Sequence, residues 1–304
     1  RRIKKIKKIK VMNRNYYILF CIIFLIGCGG GGSSNLNTPP QLSGGSNMLL
    51  IGNSFFRPYA QKLDAMAIDA GLVNHNSTIV IRGGENGRPI NLWNDSSTTE
   101  HNLIKSTLDQ GNIEFFGMTS GHDSPNRIEG FKNWIEYALQ NNPNITVFLS
   151  ISPFDFPNGD PNGIRPDWDT FAADNGFSSI QEMFNAYINV IVHSEVVDQL
   201  RIEFPSTKIF TIPTGWATFN LYQMNIDGLL LDQIDMFGPL GTSIFTDQKG
   251  HQGNIVRETG GLLWLGSIYG VDLVRNSDYN TGFSSDLHTI AEQIMATHDP
   301  NYIQ

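Results

Sequence analysis

Beyond residue 47 the apolar positions fall into short continuous runs, separated by longer segments with helical spacing. Met48-Leu49-Leu50-Ile51 shows no polar alternation, the pattern of a strand buried on both faces. Thr78–Ile81, Ile113–Met118, Ile145–Ile151 and Lys208–Ile212 read as further strands. Between them, a helix is expected from Pro58, which suits a first helical turn, to about Ala70, with Gly71 as its stop. Phe131–Gln140 has helical spacing and stops ahead of Pro143. Ser178–Glu203 reads as one long helix ending before Pro205, and two more fall within Ala217–Ile234 and Gly253–Ile268. No internal repeat is visible. Strands alternating with helices predict an α/β fold, a three-layer α/β/α sandwich around a mostly parallel five-stranded sheet. In such sheets reactive groups sit on loops at the carboxyl ends of strands. Gly52–Phe55, Gly83–Gly87 and Thr119–Asp123 are those loops here.

The first 27 residues follow a different pattern. Residues 1–15 are basic, and Tyr16–Gly27 is a nearly unbroken apolar run. A basic segment followed by a short apolar one reads as a secretory signal, and the run is short for a bilayer span, which takes about 20 residues. Asn13-Arg14-Asn15 would suffice as the polar start of such a signal, with Met12 as its first residue. The run ends in Leu25-Ile26-Gly27-Cys28, which resembles a bacterial lipobox. That resemblance implies lipidation of Cys28 after cleavage, with a membrane contact through the lipid anchor alone. Cys21 would leave with the signal, so neither cysteine remains for a disulfide. Gly29–Pro40 has the composition of a flexible linker. The expected organisation is therefore a signal over 1–27, a tether over 28–47 and one folded domain over 48–304. Gly29 after the cysteine resembles the sorting pattern of the outer membrane in Gram-negative bacteria.

The chain has 304 residues, 40% hydrophobic and 16% charged, enough apolar content for a sizeable core. Its net charge of −8 conceals an asymmetry. Eight of the 21 Lys and Arg lie in residues 1–27, which contain no Asp or Glu, so the rest holds 13 basic against 29 acidic residues. A surface of that sign repels phosphate backbones, which excludes nucleic acid as an expected partner. Pro153–Phe177, rich in Asp, Pro, Asn and Gly, is too long for an ordinary turn and reads as a lid or substrate-binding insertion. Its acids Asp155, Asp160, Asp167 and Asp169 do not follow the EF-hand spacing, so a solvated loop is expected.

Ser54 sits in the turn after the first strand, close to a helix N-terminus whose free N–H groups can stabilise an oxyanion. On position alone it can equally be an N-cap. Asp247-Gln-Lys-Gly-His251 sets an acid and a histidine four residues apart, with Gly250 permitting a tight loop. A neutral histidine can take a proton from a serine hydroxyl, while a carboxylate on its other nitrogen fixes the tautomer. The plain alternative is a helix-capping Asp beside a surface His.

Together these segments resemble the SGNH/GDSL hydrolase superfamily over roughly Met48–Leu273. Ile51-Gly52-Asn53-Ser54-Phe55 is similar to its first block, Arg82-Gly83-Gly84-Glu85-Asn86-Gly87 to its second, and Asp247…His251 to its last, one residue longer than D-x-x-H. The resemblance implies an SGNH/flavodoxin-like fold and a serine esterase needing no cofactor. Ser54 would be the nucleophile, His251 the base and Asp247 its orienting acid. The oxyanion hole would use the N–H groups of Ser54 and Gly84, with Gly83 the alternative glycine. The third block departs from the family: Gly117-Met-Thr-Ser-Gly-His-Asp-Ser-Pro125 stands where G-x-N-D is expected. Thr119, Ser120 or His122 would have to replace the missing Asn donor.

The expected partner is a small ester or acylated saccharide. Carbohydrate O-acyl esters come first and lipid or short-chain esters second. Two rival classes stay open: a glycan-binding lipoprotein on a degraded hydrolase scaffold, and a metal hydrolase using His122, Asp123, Asp247 and His251. His75, His101, His193 and His288 read as surface residues. Trp93 and Trp168, in Asn/Asp-rich loops, are expected to contact sugar, and Trp216 to be core. The acyl group, the alcohol and the oligomeric state are open at this level.

Overall fold

The computed structural model describes residues 44–121, 126–156, 168–273 and 280–304. The signal, Cys28 and most of the tether lie outside the described residues. So do His122, Asp123, and residues 157–167 of the long insertion with Asp160 and Asp167.

The five apolar runs form strands β1 (Asn47–Gly52), β2 (Asn76–Ile81), β3 (Phe115–Thr119), β4 (Thr146–Ser150) and β5 (Ile209–Ile212). All neighbouring pairs are parallel and the order is β2-β1-β3-β4-β5. Every residue of β3 and β5 is buried, as a sheet covered on both faces requires, whereas edge strand β2 is mostly half-exposed. Helices α1 (Arg57–Asp69), α8 (Gly215–Ile226), α9 (Asn254–Tyr269) and α10 (Leu287–Thr297) pack together on one face. The other face carries α2 (Pro89–Asn94), α3 (Thr99–Leu108), α4 (Glu129–Leu139) and α7 (Asp198–Glu203). This is an α/β fold with an all-parallel five-stranded sheet between helical layers.

The chain leaves β1 for β2 on one side and later returns to lay β3 on the other. That reversal makes the carboxyl end of β1 a topological switch point, where the flanking loops diverge and leave a crevice. Ser54 lies in the loop that leaves it.

Several expectations need correction. The stretch expected over Ser178–Glu203 is helical only from Ile180 and is not uniform. It comprises α6 (Ile180–Ala186), a π-wound stretch (Tyr187–Val197) and α7. The Ser179 hydroxyl caps α6 by accepting the Glu182 N–H. Helices α2, α3 and α10, and a two-stranded parallel ribbon of β6 (Asp235–Phe237) and β7 (Ser243–Phe245), were not expected from the pattern. Helix α2 and the ribbon strands are short and α3 is polar-rich, so periodicity carries little signal there, whereas α10 does place Leu287, Ile290, Ala291 and Ile294 at helical spacing. Within the insertion, Trp168–Asp174 forms helix α5 rather than solvated loop. Trp168 is 1% exposed and stacks on Phe156 at 4.5 Å, so it is core and not a sugar platform. Trp93 likewise packs edge-on against Trp134 at 4.8 Å.

The histidines expected at the surface are mostly structural. His75 joins the Tyr269 hydroxyl (2.6 Å) to Asp64 (2.8 Å), the His101 ring meets the Leu92 carbonyl (3.0 Å), and His193 is buried. A buried imidazole is satisfactory where its ring nitrogens find partners. Their neighbours come from segments distant in the chain, which single-sequence reading does not see.

Close approach of α2 and α4 depends on Gly130, where a Cβ would lie 2.3 Å from the Ile90 backbone nitrogen. The Trp134 indole N–H donating to Pro89 O (2.9 Å) fixes the same contact. Gly130→Ala should therefore lower stability by about 1–3 kcal/mol, since a backbone clash cannot be relieved by a rotamer change. Urea unfolding of the variant measures it.

Candidate active site

The turn after β1 is specified by its neighbours rather than by Ser54. A Cβ at Gly52 would sit 2.6 Å from the Phe56 ring, so only glycine lets β1 turn there. The Asn53 carbonyl accepts the N–H groups of Phe56 (3.1 Å) and Arg57 (3.0 Å), and its side-chain oxygen accepts that of Phe55 (3.0 Å). Helix α1 is capped at Phe56 without any side-chain bond, so the N-cap reading of Ser54 fails. The serine hydroxyl is left for another partner.

That partner is His251. Its Nε2 lies 2.8 Å from Ser54 Oγ, and its Nδ1 lies 2.5 Å from Asp247 Oδ2. A carboxylate at Nδ1 holds the proton on that nitrogen, which leaves the Nε2 lone pair to accept from the serine hydroxyl. The ring also stacks on Phe55, with centroids 4.9 Å apart and planes 26° from parallel. Phe55, beside the nucleophile candidate, was not assigned a role from sequence. Its adjacency to Ser54 was the available signal.

The extra residue between Asp247 and His251 is absorbed by a closed loop. Asp247 Oδ1 accepts the N–H groups of Lys249 (2.9 Å) and His251 (3.2 Å), and the Asp247 carbonyl accepts that of Gly250 (3.2 Å). Gly250 adopts φ +91°, a conformation that side-chain-bearing residues rarely enter. The Thr246 N–H donates to His251 O (2.7 Å) and shuts the loop. From outside, the Phe156 N–H donates to Lys249 O (3.1 Å), so the start of the insertion braces the histidine loop.

Burial opposes ionisation of Asp247. Bonds from the His251 ring, the His251 N–H and the Lys249 N–H outweigh it and hold the carboxyl below its ordinary value.

The second block reaches the same level of the sheet. Gly52 pairs with Ile81 across β1 and β2, and the Arg82 N–H donates to Gly52 O (3.1 Å). Gly84 then opens a short 3-10 turn (Gly84–Gly87) with φ +57°. A Cβ on Gly84 would have Lys249 Nζ 4.0 Å away, so this glycine lies beside the histidine loop, whereas Gly83 is exposed with nothing within 4 Å. Among the described residues no acceptor takes the N–H of Ser54 or Gly84. Gly87 closes the turn against β1, since a Cβ there would fall 2.4 Å from both Arg82 O and Gly52 O. Its place at the end of the Arg82–Gly87 motif gives no sign of this packing role in the sequence.

In the third segment, Thr119 ends β3 and is 1% exposed. The Ser120 N–H donates to Ser150 O (3.0 Å), so that group serves the sheet ladder. The Ser120 side chain hydrogen-bonds the Tyr187 hydroxyl. Arg88 crosses the following residue, with its Cγ 3.1 Å from where a Gly121 Cβ would be, and pairs with Glu85 at 3.3 Å. His122 and Asp123 are outside the described residues. Among those described, no three His, Cys, Asp or Glu side chains group to hold a metal ion.

No protein-family model and no curated protein sequence matches the chain. Two chains of solved structures match it. One is the Salmonella ser. Paratyphi A lipopolysaccharide acetyltransferase periplasmic domain, at 12% identity and a TM-score of 0.39, covering 74% of this chain and 84% of that one.

The depressed Asp247 carboxyl has a consequence for stability. A group whose folded value is lowered stabilises the fold above its unfolded value, and this contribution fades as pH falls through the lower folded value. The stability difference between wild type and Asp247→Asn should therefore be full at neutral pH and vanish below the ordinary carboxylate range. Urea unfolding of both proteins from about pH 7 to about pH 2 tests this sign.

Proposed function

We propose that this chain is an SGNH-type serine esterase that hydrolyses carboxylic esters, with O-acylated saccharides as its substrate class. The observation that carries the reading is the continuous relay from Ser54 Oγ through the His251 ring to Asp247, at 2.8 and 2.5 Å. Heavy-atom separations in this range are what proton handoff requires. Export, with a lipid on Cys28, belongs to the same proposal, and no described helix is long and apolar enough to cross a membrane. The preference for saccharide esters rests on the low charge content and the Asn- and Gly-rich loops of an exported surface.

Ser54 Oγ attacks the ester carbonyl carbon as its proton passes to His251 Nε2. The carbonyl oxygen becomes an oxyanion and accepts from the N–H groups of Ser54 and Gly84. Asp247, ionised, steadies the imidazolium that forms. Collapse of the tetrahedral intermediate breaks the bond to the alcohol oxygen, which leaves with the proton from Nε2. Water then gives a proton to Nε2 and attacks the acyl-enzyme. A second collapse releases the carboxylic acid and restores the Ser54 hydroxyl.

Each N–H donor of such a hole is worth about 10²–10³ in rate. Phe55 stacked on His251 restricts the ring to the orientation the handoff needs.

Ser54→Ala in the full chain should abolish p-nitrophenyl acetate hydrolysis and labelling by a fluorophosphonate probe, with unchanged circular dichroism. Retained turnover would remove Ser54 from the mechanism. A wild-type chain that resists the probe would instead leave a binding scaffold without an activated serine. Asp247→Asn should lower kcat by about 10³–10⁴ with little change in KM, because the histidine then favours the wrong tautomer.

A further inference from the structure

A second cleft, of about 580 Å³, opens at the other side of the sheet. Its lining residues His193 and His298 both reach Thr211 of β5, the edge strand farthest from β2 and three strand places from β1, on the order of 14 Å at the usual interstrand spacing. Its walls come from α6 and the π-wound stretch, from the first turns of α8, and from the segment after α10.

We infer that this cleft binds a neutral saccharide. Asn185, Asn189 and Asn220 line it with carboxamides, Trp216 with an indole, and His193 and His298 with imidazoles. Carboxamides both donate and accept, which suits ligand hydroxyl groups that do the same. Trp216 is half-buried. Its contacts with Phe184 (5.3 Å) and Phe219 (6.0 Å) are edge-to-face, and among the described residues no ring is stacked on it. An indole so placed can take the C–H face of a sugar ring.

Among the described residues the lining carries no Lys or Arg to pair with an anionic ligand, and a single acid. Its one acid, Asp299, already accepts from the backbone and side-chain N–H groups of Asn301, both at 2.9 Å. The two imidazoles are uncharged at neutral pH. Burial, assisted by neighbouring His298, pushes His193 down to about 3, and burial pushes His298 down to about 4. The Thr211 hydroxyl bridges their Nε2 atoms at 3.1 and 2.8 Å, which fixes both rings in place. Three carboxamides, an indole, two uncharged imidazoles and a carboxylate already engaged by Asn301 match a polyhydroxylated uncharged ligand.

The π winding explains why these side chains share one wall. Positions 185, 189 and 193 are four apart. Each such step advances by about 40° on an α-helix and retreats by about 33° on a π-helix of roughly 4.4 residues per turn. The π stretch starts at Tyr187, between the first two positions, so the deviations offset and the three residues stay aligned. A uniform α-helix would carry His193 away from Asn185. π-wound segments occur disproportionately at functional sites for this kind of reason.

The test is calorimetric titration of the full chain with hexasaccharides of glucose, mannose and xylose, and with a hexauronate as the acidic contrast. At least one neutral hexasaccharide should bind, more tightly than the hexauronate. Trp216→Ala and the double variant Asn185→Ala/Asn189→Ala should each weaken that binding by at least about tenfold. Both asparagines are exposed, so the double variant keeps its fold and decides the matter if Trp216→Ala does not fold. It should also hydrolyse p-nitrophenyl acetate like wild type. No neutral hexasaccharide bound, preference for the hexauronate, or wild-type affinity in a folded variant would overturn the assignment. Loss of ester hydrolysis in the double variant would overturn the separateness of this cleft from the Ser54 centre.

Discussion

The hydrogen bond between Ser54 Oγ and His251 Nε2 joins residues 197 positions apart, and the chemistry proposed here depends on it. Neither end could hold the other alone. The serine is carried by a turn whose backbone bonds belong to Asn53, and the histidine by a loop whose bonds belong to Asp247 and Thr246. Each loop is fixed independently of the contact between them. The relay is thus assembled by packing before it meets a substrate, which is the condition for catalysis by preorganised groups.

The frame that brings the loops together is built on close backbone approaches. Gly52 lets β1 turn beneath Phe56, Gly87 seats the second loop on the end of β1, and Gly253 seats the start of α9 against Ser243 O, where a Cβ would lie 1.7 Å away. At none of these positions is φ positive, so the requirement is space rather than backbone conformation. Gly250 is the contrary case, needed for its φ of +91°. Beneath the site, Trp264 packs edge-on to Phe56 and Phe148, and its N–H reaches the Thr214 hydroxyl, which bonds Ser150 in turn. This buried polar chain ties α9 to the ends of β4 and β5 with its hydrogen bonds made, as a core must if it holds polar groups.

The same sheet supports two differently built surfaces. At the switch point the loops converge on one nucleophile candidate. Along β5 a helix of mixed winding, the start of α8 and the end of α10 form a broad polar cleft. The first is narrow and held by charge and tautomer. The second is wide and lined by amides, an indole, two uncharged imidazoles and the Asn301-bound Asp299, the composition of a surface that holds rather than reacts.

Much of this was legible in the order of the residues. Five short, largely apolar segments alternating with helical spacing pointed to a parallel sheet, and the unbroken Met48–Ile51 run to a strand covered on both faces. The Gly-Asn-Ser turn and the Asp247…His251 pair marked the candidate reactive groups, because those residue types are suited to that chemistry where they meet. Tertiary structure alone decided that they do meet, since no local pattern encodes a distance across 197 residues. It also decided the fates of the histidines and tryptophans. His75, His101 and Trp168 stand in polar stretches, yet they are buried by partners from distant segments. Burial is a property of what packs against a side chain, and its sequence neighbours do not contain that information.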